Sequence, residues 1–138
     1  MSRAETFNPL VGTWKLEAFQ IEFENHDRKD AYDKPCGSLI ITPDGRMLAI
    51  VADNGRQLND PPSSLFDRMM AYSGPCHVQG DGSFTTDVDV AWHPSWLGTK
   101  QTRYFKIEGD MLSIITPPGQ HPKYPGRTVR GALTWKRE

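Results

Sequence analysis

Residues 10–24 read LVGTWKLEAFQIEFE, and their apolar side chains recur at every second position. The apolar parity changes from even positions up to Leu16 to odd positions from Phe19 onward. Because successive side chains of a strand point to opposite faces, this change predicts a β-bulge near Glu17 and Ala18. Strands that curl into barrels use such bulges, so the stretch predicts the long first strand of a strongly curved sheet.

Short period-two runs separated by turn residues continue along the rest of the chain. The further predicted strands cover residues 38–42, 46–52, 76–79, 83–93, 99–108, 111–116 and 128–136. Typical hairpin turns separate three pairs of them, at Pro43-Asp44-Gly45, Gly80-Asp81-Gly82 and Gly109-Asp110. Sequential hairpins of this kind predict an all-β fold, a single antiparallel up-and-down β-barrel of about eight strands.

Residues 63–72 are the exception to the period-two pattern. Apolar residues recur there near helical spacing, and a serine at position 63 or 64 can cap the first turn. We therefore expect one short helix over about 63–72, ended by Gly74. This helix would cover one open end of the barrel as a lid or plug it permanently. Residues 25–35 and 53–62 are polar and rich in turn-forming residues, which predicts loops.

Length and charge limit the classes of function. The chain has 138 residues, which suits one domain over residues 1–138 with its own core. Its formal net charge is -1, which argues against nucleic acid or an anionic membrane surface as a partner. No apolar run approaches the roughly 18 residues that a membrane-spanning helix needs.

The N-terminal residues and the cysteines indicate the compartment. Residues 1–8 lack the basic-then-apolar layout of a secretory signal, so we expect a cytoplasmic protein. Cys36 and Cys76 should then be free thiols, and a bridge between them stays open only if the protein is exported. The cysteines and the four scattered histidines have no metal-binding spacing, so we expect no metal and no cofactor.

Several sequence blocks carry a family resemblance. In chain order they are residues 10–16, 37–47, 71–74, 93–103, 109–112 and 133–137. The first contains Gly-x-Trp at residues 12–14, and the block at 93–103 contains Pro-x-Trp-x-Gly-x-x-Gln-x-Arg. In order and spacing, these blocks resemble the small bacterial and fungal lipocalin-like domain family. The resemblance implies a lipocalin-like barrel but no particular activity. Where it leads us to expect an aromatic residue, near the start of the fourth strand, this chain has Cys76.

Arg103 and Gln101 share a strand parity with the apolar residues at 105 and 107. If those apolar side chains face the barrel interior, Arg103 and Gln101 do so too. A buried guanidinium is costly unless it is paired, which leaves two roles open. Arg103 could anchor a ligand carboxylate or enolate, or it could stack on Trp14 or Trp135 and close the barrel's end, as in lipocalins.

Aromatic and sulfur-containing residues complete the candidate site. Trp92 falls on the apolar face of the predicted strand 83–93, and Met69 would lie on the predicted lid helix. His77 is expected to point outward and His93 to be solvated. The candidate ligand-binding residues are Arg103, Gln101, Trp92, Tyr72, Trp14 and Met69.

These features leave three classes of function open. The first is a protein that binds a small hydrophobic or aromatic molecule inside the barrel. The second is a cofactor-free cyclase, isomerase or dehydratase acting in the same cavity, with Arg103 and Tyr72 stabilising negative charge and His77 or His93 moving a proton. The third is an interaction protein whose barrel is packed solid. The sequence identifies no reaction, and it leaves homodimer formation open.

Overall fold

The computed structural model describes residues 8–138, so most of the polar N-terminal segment considered above lies outside the described residues. In this part of the chain the strands are β1 (Gly12–Phe23), β2 (Arg28–Asp30), β3 (Pro35–Ile41), β4 (Arg46–Asp53), β5 (Met69–Val78), β6 (Ser83–Asp87), β7 (Val90–Ala91), β8 (Lys100–Glu108), β9 (Met111–Ile115) and β10 (Val129–Arg137). One α-helix, α1 (Pro62–Asp67), and a 3₁₀ turn at Pro94–Trp96 lie between strands.

The strands form one antiparallel sheet that closes into a barrel. Its order is β10-β9-β8-β6-β5-β4-β3-β1, and pairing of β1 with β10 closes the ring. The short strands β2 and β7 add to β1 and β5 outside this order. Eight strands thus follow one another around the ring in chain order, which confirms the predicted all-β up-and-down barrel.

The first strand contains the predicted bulge. Its register against β10 shifts between Leu16 and Ala18, which confirms the position expected from the change of parity. Trp14 and Leu16 on one side of the bulge and Ile21 on the other are all buried in the core. The bulge therefore lets one strand supply inward side chains on both sides of a bend.

One end of the barrel is closed by an arginine over a tryptophan. Trp14 is fully buried, and its Nε1 donates a hydrogen bond to the Leu10 carbonyl at 2.9 Å. The guanidinium carbon of Arg137 lies 4.1 Å from the centre of the Trp14 ring. Arg137 also donates to the carbonyls of Val11 and Pro9, at 3.0 and 3.1 Å. These contacts tie the start of β1 to the end of β10.

The helix is shorter than the sequence predicts. It spans Pro62–Asp67 and has no side-chain hydrogen bond at its cap, so neither serine caps it. Met69 and Tyr72 lie on β5, where they pair with Ala52 and Ala49 of β4. Pairing along β4 outweighs the local helical spacing, and the prediction of helix beyond Asp67 is wrong. None of the helices among residues 8–138 is long and apolar enough to cross a membrane.

The predicted strand 83–93 is interrupted. β6 ends at Asp87, and β7 pairs instead with Tyr72 and Ser73 of β5. Val88 is buried whereas Val90 is 62% exposed, so the shared apolar face predicted beyond Val88 is wrong. At this point the chain passes so close to Gly74 that a Cβ on Gly74 would lie 1.9 Å from the Asp87 carbonyl oxygen. Gly74 therefore permits this crossing in the middle of β5 and does not end a helix.

A short strand also forms in the predicted loop over residues 25–35. Arg28–Asp30 pairs with Gln20–Glu22 of β1, and β3 begins at Pro35 instead of at residue 38. The polar β2 is exposed throughout, so apolar periodicity gives no sign of it.

Candidate functional site

The barrel interior contains a cavity of about 200 Å³. Inward side chains from most strands line it, and the majority of them are aliphatic or aromatic. The aromatic rings are those of Phe19, Tyr72, Phe84, Trp96 and Trp135. The interior is therefore open and not packed solid, as the third class of function would require.

Polar side chains line the same cavity from neighbouring strands and one loop. Arg103 lies on β8, and Thr116 comes directly after β9. Their chain neighbours Tyr104 and Ile115 pair with each other, so Arg103 and Thr116 are carried by adjacent strands. Gln101 lies two residues before Arg103, and His121 is on the loop between β9 and β10. Besides the Tyr72 hydroxyl, the cavity wall thus includes four polar side chains, Gln101, Arg103, Thr116 and His121, and we call this set the polar end.

Arg103 has unused hydrogen-bonding capacity. Its guanidinium is half-buried and donates to the Thr102 carbonyl at 2.8 Å and to Gln101 Oε1 at 3.1 Å. A guanidinium has five N–H donors, so three remain without a partner among residues 8–138. No carboxylate in that part of the chain forms an ion pair with it, and it stacks on neither Trp14 nor Trp135. Arg137 occupies the stacking position that the sequence left open for Arg103.

Gln101 is oriented by a chain of hydrogen bonds. The Thr99 hydroxyl donates to the Trp96 carbonyl at 2.6 Å, so it must accept the hydrogen bond from Gln101 Nε2 at 3.0 Å. The amide oxygen of Gln101 then faces Arg103 and accepts from it. These hydrogen bonds connect Arg103 to the turn that carries Trp96 into the cavity wall.

His121 is one of several cavity residues, with Thr116 and Trp96, that the predicted ligand set did not include. Its Nδ1 accepts a hydrogen bond from the Lys123 backbone N–H at 3.1 Å, so the neutral ring carries its hydrogen on Nε2. Its ring lies 5.4 Å from that of Tyr124. The surrounding Pro- and Gly-rich loop has no periodicity, and no signal in the sequence places this loop over the cavity.

Only part of the predicted ligand set lines the cavity. Tyr72 does so, together with Arg103 and Gln101. Met69 does not, because the strand geometry of β5 turns its neighbour Met70 inward instead. Trp14 is packed at the closed end and is also absent from the cavity wall.

Trp92 lies outside the barrel, against α1. Its ring stacks on Phe66 with 5.2 Å between centres, and its Nε1 donates to the Phe66 carbonyl at 3.1 Å. The interruption between β6, which ends at Asp87, and β7, which begins at Val90, causes this placement, since it reverses the alternation that would have put Trp92 on the inner face. Trp96, from the same aromatic turn, lines the cavity and packs edge-on against Tyr72 with 5.9 Å between centres. The His93 ring connects the stack of Trp92 and Phe66 to Trp96, with its centre 6.0 Å from that of Phe66 and 6.1 Å from that of Trp96.

The histidines named as candidate proton carriers are on the outer surface. His77 Nε2 lies 3.4 Å from the Asp87 carboxylate, whose pKa is lowered by its hydrogen bond from Lys100. His93 Nδ1 accepts from the Ser95 backbone N–H and so caps the 3₁₀ turn. Neither histidine lines the cavity.

The two cysteines are free. Cys36 is half-buried and Cys76 is buried on the inner side of β5. Burial raises the pKa of the Cys76 thiol to about 11, so it stays protonated at neutral pH. Within residues 8–138, no three His, Cys, Asp or Glu side chains are grouped closely enough to hold a metal ion.

Comparison with known proteins agrees with this architecture. The family model described as a lipocalin-like domain matches residues 11–138. A protein named lipoprotein LpqB, from Nocardia farcinica (strain IFM 10152), is 34% identical over 75 residues. That match covers 54% of this chain and only 11% of the relative, so most of the relative has no counterpart here.

Proposed function

The chain belongs to the lipocalin-like domain family, and from this membership and the open cavity we propose that it binds a small hydrophobic or aromatic molecule inside the barrel. The observation that carries the proposal is the cavity of about 200 Å³ with a mainly apolar wall and a few polar groups. Small-molecule sites in proteins usually have this composition. Retaining such a space instead of filling it forgoes packing energy, which a bound ligand would restore.

The cavity volume limits the size of the ligand. An apolar cavity of about 150 Å³ accommodates benzene. A cavity of about 200 Å³ therefore suits one substituted ring or two fused rings. Rings of Tyr72, Phe84 and Trp135 supply edges and faces for an aromatic ligand to pack against.

Native mass spectrometry of freshly purified protein tests this function. We expect a bound small molecule that is released on denaturation. Ala49 is a buried cavity-wall residue on β4, so Ala49→Leu narrows the cavity and should lower ligand occupancy by at least tenfold. Ala71→Leu, on β5 with its side chain on the opposite face of the sheet, is the matched control and should keep the ligand. The proposal fails if no small molecule co-purifies and none of a panel of one- and two-ring compounds binds.

A cofactor-free enzyme is the second candidate, favoured by one observation. His121, Arg103 and Tyr72 line the same cavity. In a cyclisation, isomerisation or dehydration, Arg103 and Tyr72 would stabilise developing negative charge, and His121 would move a proton in place of His77 or His93. Incubating the released ligand with fresh protein and with His121→Gln tests this. Conversion that only the unaltered protein performs supports an enzyme, and recovery of unchanged ligand from both supports a carrier.

The cytoplasm is part of the proposal. It is supported by the free state of Cys36 and Cys76, which is typical of proteins in reducing compartments. The relative's name identifies that protein as a lipoprotein, so an exported form is the alternative outcome. Fractionation of cells that express the full gene, followed by detection of the protein, distinguishes the two.

A homodimer is also proposed, through the outer face of β3 and β4. Ile40, Leu48 and Ile50 are each more than one third exposed on this face. Light scattering at several concentrations should give twice the chain mass for the unaltered protein. Leu48→Glu should give the monomer mass, and a monomer in both cases would contradict the dimer. We propose no nucleic-acid or membrane partner, in keeping with the near-neutral charge.

A further inference from the structure

We propose that the ligand of this cavity is a small aromatic carboxylate, held with its carboxylate against Arg103 and its ring among the apolar side chains. The proposal rests on the proposed function, since it assigns a chemical class to the ligand of the same site. It depends on the charge of the cavity wall, on the donors at the polar end and on the cavity's size.

The charge of the wall is unbalanced. Arg103 is the one permanently charged side chain among the described residues that line the cavity, and no aspartate or glutamate side chain lines it. The other arginines near the barrel ends are paired or stacked, as Arg130 is with Glu22 and Arg137 is with Trp14. The half-buried guanidinium of Arg103 has no carboxylate partner in residues 8–138 and therefore has its charge and donors available for an anionic ligand.

The polar end presents hydrogen-bond donors. Arg103 retains three N–H groups after its bonds to Thr102 and Gln101. The Thr116 hydroxyl oxygen accepts from the Gly131 N–H at 2.7 Å, which leaves its hydrogen to donate. His121 carries its hydrogen on Nε2 because Nδ1 accepts from Lys123. A site that offers donors from three residues fits a ligand group that only accepts, as an ionised carboxylate does.

The Gln101 amide oxygen in the same region already accepts one hydrogen bond, from the positively charged Arg103. Gln101 Oε1 accepts from Arg103, and the Thr99 relay holds the amide in that orientation. A ligand ammonium that approached this oxygen would lie next to the guanidinium, and the two positive charges would repel each other. The arrangement disfavours cationic ligands as well as favouring anionic ones.

A carboxylate fits better than a phosphate or sulfate monoester. One guanidinium balances a single charge, and its planar fork matches the two oxygens of a carboxylate. A tetrahedral dianion would require a second permanent cation, and the described cavity wall supplies none. The volume of about 200 Å³ leaves room for one or two rings beside the carboxylate.

Titration calorimetry with two probes of equal shape tests the proposal. The probes are 2-naphthoate and its neutral amide, 2-naphthamide. We expect the unaltered protein to bind the carboxylate at least tenfold more tightly than the amide. Arg103→Met should weaken binding of the carboxylate by roughly 10- to 100-fold, the usual scale for losing a charged hydrogen-bonded partner, and should change amide binding by less than about threefold. The affinity of Arg103→Lys for the carboxylate should lie between those of the unaltered protein and Arg103→Met, since lysine keeps the positive charge but lacks the planar guanidinium.

Lys106→Met is the matched control. Lys106 is on the same strand, on the exposed face, and its nearest carboxylate is that of Glu108 at 3.9 Å. The Lys106→Met substitution removes one positive charge from the same strand, and its affinity for the carboxylate should stay within about twofold of that of the unaltered protein. Thermal unfolding of each variant confirms that it remains folded.

The outcomes separate this inference from the proposed function. Equal affinity for the two probes, or equal loss of both in Arg103→Met, overturns the carboxylate proposal and leaves the small-molecule site standing. Failure of the unaltered protein to bind either probe, or any other one- or two-ring compound, overturns both. Equal weakening by Lys106→Met and Arg103→Met would show a general charge effect and would also overturn the assignment of Arg103.

Discussion

Arg137 stabilises the barrel through several weak contacts made at once. Its guanidinium lies over the Trp14 ring and donates to two carbonyls in the segment before β1. Gly12 has a φ of 138°, and a Cβ there would lie 2.9 Å from Arg137 Nη1. The Gly-x-Trp start of β1 therefore has a physical reason, because the glycine leaves room for the guanidinium that covers the tryptophan.

Replacing Arg137 by leucine should lower the free energy of unfolding by about 2 kcal/mol, from the lost cation–π contact and the lost hydrogen bonds. Urea denaturation measures this change. Lys136→Leu, at the exposed neighbouring position, should change stability by less than about 0.5 kcal/mol. An Arg137→Leu variant as stable as the control would show that the stack does not hold this end closed.

Arg103 and Arg137 illustrate what the residue pattern could and could not predict. Strand parity correctly placed Arg103 and Gln101 in the barrel interior, because one-residue alternation holds along β8. Parity alone could not decide which arginine meets Trp14. That contact depends on the register of β10 against β1, where Trp14 pairs with Arg137.

Among the elements, β5 departs most from expectation. The sequence Met69–Tyr72 is a short apolar run that fits a helix or a strand equally well, and tertiary pairing with β4 decides between them. The break after β6 arises because the chain must cross β5 at Gly74, which leaves no room for a side chain. Neither cause is local, so a reading of periodicity could not find them.

Gly74→Ala should destabilise the protein by about 3 kcal/mol or more, since its Cβ would overlap the backbone of Asp87 and cannot be relieved by a side-chain rotation. The change is measured as a loss of thermal stability or of folded yield. Gly80→Ala is the control, because a Cβ at Gly80 meets no atom within 4 Å. Similar behaviour of the two variants would contradict the crossing described for β6 and β7.

The segment between β4 and β5 is fixed by one buried carboxylate. Asp53 accepts hydrogen bonds from the backbone N–H groups of Asp33, Lys34 and Gly55 and from the Arg68 guanidinium. Burial raises the pKa of this carboxyl, but the hydrogen bonds together outweigh burial and lower it below the ordinary value. The ionised form therefore holds the loop on both sides of α1 in place.

Acid should weaken this loop anchor. Because the folded-state pKa of Asp53 is lowered, its contribution to stability is complete above about pH 4, the ordinary range for an aspartate, and is lost as the pH falls through the folded-state value. Urea denaturation between neutral and strongly acidic pH should show a shallower acid-induced loss for Asp53→Asn than for the unaltered protein. Glu108→Gln, which removes an exposed carboxylate, should keep the full pH dependence. An unchanged pH dependence in Asp53→Asn would contradict the role of this carboxylate.

At the scale of the whole molecule, the barrel has one closed end and an interior cavity. The closure by Trp14 and Arg137 and the cavity wall by Tyr72, Trp96 and Trp135 use different residues. The barrel could be predicted from the sequence because the alternation of apolar and polar residues repeats along eight strands. An error about one strand leaves the prediction of the others unchanged. It could not predict the covering of the cavity, because the loop that carries His121 has no periodic pattern.

The four tryptophans offer a test of where a ligand binds. Trp96 and Trp135 line the cavity, whereas Trp14 is at the closed end and Trp92 is on the outer surface. Trp135 Nε1 is buried and has no hydrogen-bond partner among the described residues. Each indole N–H gives its own signal in a nitrogen–proton correlation spectrum, and single Trp→Phe variants assign the four signals.

Titration of 2-naphthoate into the ¹⁵N-labelled protein, followed through these four signals, tests the central claim most directly. Binding inside the barrel predicts saturable shifts of the Trp96 and Trp135 signals, with those of Trp14 and Trp92 nearly unchanged. Shifts confined to Trp92, or no saturable shift in any of the four, would contradict a small-molecule site in the barrel interior.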